Sequence, residues 1–144
     1  MKMILIVSFL ILLLTVIQGD FHVRSRYDYY TNDTTASIMI ISDNDSCEFD
    51  FIFEIAGKQI LEKKNLLSPG KYCFVFSSDF LSLGETKGKG IFFHNKKRIV
   101  KNIVFTRFPH KNNEVKIDYW TGSLISSGKP FFPFGFYCYS PFYS

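Results

Sequence analysis

Three cysteines are the residues of this chain best suited to covalent chemistry: Cys47, Cys73 and Cys138. Three thiols allow one intramolecular disulfide in three ways and leave one sulfur over. Cys47 and Cys73 each stand near the start of a strand-like apolar segment, so we predict a disulfide between them. Cys138 would then be unpaired or bonded to another molecule, and pairings that use Cys138 are the alternatives. A catalytic cysteine would need a histidine within reach, and the sequence places none beside these three.

The other nucleophiles and bases form no recognisable catalytic pattern. His22, His94 and His110 are scattered, and no two have the spacing that brings imidazoles together on one strand or helix. No serine lies in a Gly-x-Ser-x-Gly turn, and the acidic residues form no pair within one segment. The sequence therefore indicates no catalytic residue, no metal site and no cofactor. Carboxylates that meet only in the folded chain leave one alternative, a secreted enzyme or enzyme inhibitor whose site is assembled from loops.

The strongest local charge feature is the stretch NKKRIVKN at residues 95–102. Its basic residues Lys96, Lys97, Arg98 and Lys101 resemble the pattern associated with heparin and other sulfated glycans. On a hairpin, Lys97 and Lys101 would share one strand face while Arg98 points to the other. The commoner use of such residues is a solvated hairpin whose lysines discourage strand-to-strand aggregation. Contact with an anionic glycan or an anionic lipid is the functional alternative.

Two Asn-x-Ser/Thr triplets lie in polar, turn-like segments, one at Asn32 and one at Asn44. In an exported protein of a eukaryote such triplets accept N-linked glycan. We predict that at least one of them is glycosylated, and chance occurrence in an Asn-rich chain is the alternative.

Residues 1–19 have the pattern of a secretory signal peptide, with Lys2 before an apolar run that is too short to span a bilayer and that closes on Gly19. Residues 20–144 then form one secreted domain, and its cysteines meet an oxidising compartment. The formal charge of the full chain is only +4. Neither that charge nor an extracellular location favours nucleic acid as a partner, and we expect no stable membrane insertion after cleavage.

The strands predicted from the sequence determine where these candidate residues lie. In CEFDFIFEI, residues 47–55, apolar side chains alternate with mostly acidic ones, which predicts a half-buried antiparallel strand. Gly57 predicts a tight turn into a return strand, and SPGK at residues 68–71 predicts another turn. The stretch LLSPGKYCFVF resembles the turn and strand found in many secreted sandwich modules. Further strands are predicted over residues 22–30, 36–42, 71–78, 90–94, 98–107 and 114–120.

Seven or eight short strands without helical crossovers predict an all-β fold: a small antiparallel β-sandwich or a flattened barrel. Its general architecture would be immunoglobulin-like or prealbumin-like. Residues 59–67 have slight helical character, and the glycine-rich residues 82–90 are predicted to form a mobile loop without the spacing of a phosphate-binding loop.

The aromatic C-terminus, KPFFPFGFYCYSPFYS, is predicted to add a short edge strand over residues 134–139, because prolines interrupt the sequence on either side of it. Phe131, Phe132, Phe142 and Tyr143 lie outside that strand, where they could contact a partner. Taken together, the sequence predicts a small secreted binding module without catalytic activity. Its partner would be an extracellular protein or an anionic glycan, reached through the basic hairpin.

Overall fold

The computed structural model of the protein describes residues 20–131. Within them the chain forms eight strands and one short 3-10 helix, which confirms the all-β prediction. The predicted signal peptide, the predicted strand over residues 134–139 and Cys138 lie outside the described residues. No helix among residues 20–131 is long and apolar enough to cross a membrane. The elements are β1 Phe21–Ser25, β2 Thr35–Ile55, β3 Lys58–Ser77, the 3-10 helix Ser78–Phe80, β4 Gly84–His94, β5 Lys97–Arg107, β6 Val115–Asp118, β7 Ser123–Ser126 and β8 Lys129–Phe131.

Two antiparallel sheets organise these strands. In the larger sheet, β3 pairs along one edge of β2, while β1 pairs with the first half of the other edge and β4 with its second half. β5 extends the sheet beyond β4. The smaller sheet has the order β6-β7-β8, and Pro130 sits in β8, the edge strand whose partner is β7, as expected for a residue without an N–H.

The long β2–β3 hairpin bends back on itself. Phe53 and Phe76 lie at opposite ends of this ladder, since Phe53 pairs with Leu61 and Phe76 pairs with Ala36. Seventeen residues of straight β2 would span about 58 Å, yet the Phe53 and Phe76 ring centroids are 5.1 Å apart. The sheet is therefore curled into a half-barrel, consistent with the predicted sandwich or flattened barrel.

The ladder changes register at Pro69. Ser42 pairs with Gly70, but the next pair is Cys47 with Ser68, so four residues of β2, Asp43 to Ser46, face a single proline. Proline has no N–H to donate to the ladder, and the extra residues loop out as a wide bulge. The turn predicted at residues 68–71 is thus wrong, because β3 continues through it.

Phenylalanine dominates the core inside this curl. The alternation predicted for residues 47–55 is confirmed, since Phe49, Phe51, Phe53 and Ile55 are buried and the residues between them are partly exposed. Phe21 stacks on Phe92 with ring centroids 4.5 Å apart. No member of the core cluster comes from residues 115–131. The buried cluster comprises Phe21, Tyr30, Ala36, Ile38, Ile40, Phe49, Phe51, Phe53, Ile55, Phe76, Leu81, Phe92, Ile103 and Phe105.

Two further predictions were wrong. Residues 59–67 belong to β3 rather than to a helical turn, because they pair with β2. Residues 84–90 are the first half of β4 rather than a mobile loop. Glycine is needed there, since a Cβ at Gly88 would lie 2.8 Å from Cε2 of Phe53. The tight turn at Gly57 is confirmed, with positive φ at Ala56 and Gly57.

Candidate functional site

The β4–β5 hairpin, residues 84–107, has a larger net positive charge than the whole chain. It contains seven basic residues and one acidic residue, a formal charge of +6, whereas the whole chain carries +4. The rest of the sequence therefore sums to −2. The two strands meet at a tight turn in which Asn95 and Lys96 have positive φ values of 48° and 59°, the geometry of a two-residue hairpin.

The structure confirms how the predicted basic residues divide between the two faces of β5. Ile99, Ile103 and Phe105 pack towards the core, so Lys97 and Lys101 share that inner side and Arg98 lies on the outer side. Lys101 Nζ is 2.6 Å from Asp20 Oδ1. Of the four predicted residues, Lys96, Lys97 and Arg98 are exposed without such a partner in the described chain, and Lys101 is already neutralised.

Two lysines that the sequence analysis missed extend the outer face. Gly88 and Gly90 of β4 face the phenylalanine core, so Lys87 and Lys89 alternate with them and point outwards. β4 and β5 pair in register, which places Lys89 opposite Asn102 and Phe93 opposite Arg98. The period-two spacing of Lys87 and Lys89 was visible in the sequence, but glycine on both sides of Lys89 made the segment resemble a loop.

Basic side chains elsewhere in the described chain are mostly engaged. Lys63 lies over the ring of Phe74, and Lys64 pairs with Glu62. Arg107 donates to the backbone oxygens of Thr31, Ser78 and Leu81. Within residues 20–131, the basic side chains without an acidic, aromatic or hydrogen-bonding partner are Lys87, Lys89, Lys96, Lys97, Arg98, Lys111 and Lys129. Five of these seven lie on the β4–β5 hairpin.

A second charged region is the polar cleft of about 1010 Å³ between the β1–β2 connection and the smaller sheet. Lys116 of β6 is buried there, with Nζ 2.5 Å from Asp33 Oδ2 and 3.9 Å from Glu114 Oε2. Thr31 donates its N–H to Asp33 and its hydroxyl to Glu114. The fold thus brings together two carboxylates that are far apart in the sequence, and it places a lysine between them.

Asp118 at the end of β6 anchors the smaller sheet. Its side chain is 1 % exposed and accepts two hydrogen bonds from Arg26, at 3.0 and 2.8 Å. The next two residues are held by further basic side chains. The Arg24 guanidinium lies 3.4 Å from the ring centroid of Tyr119, and Lys71 lies 4.4 Å from that of Trp120. Three cations from β1, β3 and the segment after β1 therefore dock residues 118–120.

The electrostatics of the polar cleft keep its carboxylates ionised. Burial would raise the pKa of Asp118, but the hydrogen bonds from Arg26, the Trp120 N–H and Thr121, together with the charge of Arg26, outweigh it, so the pKa is lowered. Burial would likewise raise the pKa of Asp33, but the hydrogen bonds from Lys116 and the Thr31 N–H, together with the charge of Lys116, outweigh it, so the pKa is lowered. Desolvation would raise the pKa of Glu114, but the hydrogen bonds from Lys111 N–H and Thr31, together with the electrostatic effect of His110 and Lys116, outweigh it, so the pKa is lowered. A general acid at neutral pH needs a raised pKa, and these three residues have the opposite shift.

The structure does not contain the predicted disulfide between Cys47 and Cys73. Within residues 20–131 both are free thiols. Cys47 pairs with Ser68 and Cys73 with Met39, so five residues of β3, about 16 Å of strand, separate the two ladder positions. A disulfide needs Cα atoms within about 7 Å. Burial raises the pKa of Cys73, which disfavours the reactive thiolate.

The two predicted glycosylation residues differ in their surroundings. Asn32 is exposed at the rim of the polar cleft. Asn44 is half-buried in the wide bulge of β2, where its Nδ2 donates to Ser42 Oγ at 3.1 Å. Glycan attaches through this nitrogen, so Asn32 is the more accessible acceptor, and glycosylation itself stays a prediction.

The histidines remain separate. His22 lies 3.9 Å from Asp20, His94 Nδ1 lies 3.1 Å from the Glu48 backbone oxygen, and His110 Nδ1 lies 2.9 Å from Glu114 Oε1. Residues 20–131 contain no group of three or more His, Cys, Asp or Glu side chains arranged to hold a metal ion. Every buried side-chain nitrogen and oxygen in the same range has a hydrogen-bond partner.

Comparison with known proteins adds no relative. No protein-family model, no curated protein and no solved structure matches this chain.

Proposed function

We propose that this protein is a secreted binding module that contacts an anionic glycan through the outer face and turn of the β4–β5 hairpin. One observation carries the proposal. The hairpin has a formal charge of +6 in a chain whose remainder is −2, and five of its cations have no partner in residues 20–131. Unpaired cations concentrated on one hairpin attract polyanions and raise their local concentration.

The shape of the hairpin favours a glycan chain over a lipid surface. The turn that would reach a membrane first consists of Asn95 and Lys96, followed by Lys97, and all three are polar and exposed. Membrane-binding surfaces usually present apolar or aromatic side chains at that point. On the outer face, Lys87 and Lys89 are about 7 Å apart along β4, so they can contact successive charges of an extended polyanion.

An enzyme or enzyme inhibitor is the alternative function, and the polar cleft is where its site would lie. The contacts within the cleft do not favour a catalytic site. Lys116 and Arg26 are both occupied by carboxylates, and the pKa values of Asp33, Glu114 and Asp118 are all lowered. Such pairing is typical of charges that hold a structure together, since a catalytic group needs to be free to exchange its proton.

Chromatography on immobilised heparin tests the proposal. We expect the full-length secreted protein to elute at a higher salt concentration from heparin than from a plain sulfonate exchanger, because a specific array of contacts adds to the screened net charge. The triple variant Lys96→Ala/Lys97→Ala/Arg98→Ala should lose that difference. The matched control, Lys64→Ala/Lys111→Ala/Lys129→Ala, removes the same charge elsewhere and should keep it.

Two results would contradict the proposal. The first is elution of the wild type from both matrices at the same salt concentration, which would leave the hairpin as a solvated surface. The second is sedimentation with phosphatidylserine vesicles without retention on heparin, which would assign the same cations to a lipid surface.

A further inference from the structure

A depression of about 410 Å³ lies on the basic side of the molecule, where the β2–β3 turn meets β4 and β5. Its walls are the turn residues Ala56 and Gly57, the outer-face lysines Lys87 and Lys89, and residues of β5. The volume falls within the range of pockets that bind small molecules. It is far larger than a single inorganic ion requires.

Three neighbouring strands contribute polar groups of different chemistry to this depression. Lys89 pairs with Glu54 of β2 on one side and with Asn102 of β5 on the other. These side chains therefore form one row across the sheet: a carboxylate, an ammonium and an amide. The ammonium attracts an anionic group, the amide can donate or accept, and the carboxylate accepts hydrogen bonds from hydroxyl groups.

The remaining walls supply a second cation and apolar contact. Lys87 is two residues from Lys89 on the same face of β4, and it pairs with Val104 of β5. Val104 is 47 % exposed, so it offers an uncovered apolar side chain beside the two lysines. Neither lysine has a side-chain partner among the described residues, although Glu54 lies nearby on β2.

We infer that this depression is a subsite for one acidic sugar unit, a pyranose that carries a carboxylate or a sulfate. Lys87 and Lys89 bind its anionic group, Glu54 and Asn102 bind its hydroxyl groups, and Val104 packs against the ring. A bare anion fits less well, because it has no hydroxyl group to donate a hydrogen bond to Glu54. The Glu54 carboxylate also repels it. The inference rests on the proposed function, and it places a defined subsite at the end of the hairpin away from Lys96 and Lys97.

Nuclear magnetic resonance titration of the full-length secreted protein tests the subsite. The probes are a sulfated heparin disaccharide, the neutral disaccharide maltose and sodium sulfate at matched ionic strength. We expect the amide signals of residues 54–57, 87–89 and 102–104 to shift with the sulfated disaccharide at lower concentration than with either control. Lys87→Ala/Lys89→Ala should weaken this binding roughly tenfold or more, as loss of charge-assisted hydrogen bonds does.

A filling variant separates the cavity from its charge. Val104→Phe keeps both lysines but occupies the space beside them, so it should also lower the affinity for the disaccharide at least several-fold. The melting temperature checks that the variant folds. Lys64→Ala/Lys111→Ala, which removes two charges elsewhere, should leave the affinity unchanged.

The outcomes separate the subsite from the proposed function. Equal affinity for sodium sulfate and for the sulfated disaccharide would overturn the sugar subsite, as would unchanged affinity in Lys87→Ala/Lys89→Ala. If heparin retention still depended on Lys96, Lys97 and Arg98, the proposed function would stand without the subsite. If every hairpin variant kept its heparin retention, the proposed function would be contradicted as well.

Discussion

The polar cleft and the β4–β5 hairpin are both rich in charge, and they use it in opposite ways. In the cleft, Lys116 and Arg26 are each held by a carboxylate at 2.5 to 3.0 Å. On the hairpin, Lys96, Lys97 and Arg98 are exposed without a partner in residues 20–131. The comparison indicates which charges stabilise the fold and which are free to bind something else.

The two regions also differ in how they are attached to the phenylalanine core. β4 and β5 contribute Phe92, Ile103 and Phe105 to that core, whereas residues 115–131 contribute nothing to it. The smaller sheet is docked by Asp118, Tyr119 and Trp120 on cationic side chains. Changes of charge should therefore alter stability in the cleft and leave it nearly unchanged on the hairpin.

The largest effect is expected from Asp118→Asn, which leaves the Arg26 guanidinium without its anionic partner. Breaking a buried ion pair by changing one member costs about 3 kcal/mol, so the smaller sheet should lose its docked position. Trp120 is the only tryptophan, and its fluorescence during urea unfolding reports this sheet. The control is Asp43→Asn, which changes an exposed carboxylate 4.0 Å from His22. Equal unfolding midpoints for the two variants would contradict the role of Asp118 in docking the smaller sheet.

A smaller loss is expected from Lys116→Met. The change leaves Asp33 and Glu114 facing each other without a cation, and it costs on the order of 2 kcal/mol because charge-assisted hydrogen bonds are lost. Asp33 is partly exposed and regains water, which limits the effect. Thermal melting measures it, and Lys111→Met, a change at an exposed lysine without a partner in the described chain, should melt within a degree or two of the wild type.

Acidification should affect the cleft before the core. The pKa values of Asp33, Glu114 and Asp118 are lower in the folded protein than in the unfolded chain, so the unfolded chain binds more protons as the pH falls through about 4. Their stabilisation is complete above that range and disappears below it as the folded carboxylates become protonated. Trp120 emission should therefore shift at a higher pH than the far-ultraviolet circular dichroism of the larger sheet. Coincident transitions would contradict this order.

The smallest effect on stability is expected from Lys96→Ala/Lys97→Ala/Arg98→Ala. Exposed side chains without partners contribute within about 0.5 kcal/mol each, so the melting temperature should stay close to that of the wild type although heparin retention is lost. A large fall in melting temperature would mean that these cations stabilise the fold, and the contrast with the cleft would fail.

The sequence predicts the hairpin better than it predicts the cleft. Alternation over residues 47–55 identifies a strand because one face of it is buried, and Asn95 with Lys96 lies where the sequence separates two strands. The first half of β4 is missed, because Gly88 and Gly90 are typical of loops and only the phenylalanines packed against them explain why glycine is needed. Lys87 and Lys89 are missed for the same reason.

Contacts between distant segments leave no local pattern in the sequence. Arg26 and Asp118 are 92 residues apart, and nothing around either residue predicts their pairing. The Cys47–Cys73 disulfide was wrong for a related reason. The two cysteines do lie on neighbouring strands, but their register depends on the wide bulge opposite Pro69, and bulge positions cannot be derived from alternation alone.

Lysine footprinting with and without heparin tests the contrast between the two regions most directly. Acetylation of the full-length protein, read by mass spectrometry, measures the accessibility of each lysine. We expect heparin to protect Lys87, Lys89, Lys96 and Lys97, while Lys64, Lys111 and Lys129 react at an unchanged rate. Protection of Lys111 and Lys129 beside the polar cleft, with the hairpin lysines unaffected, would contradict it.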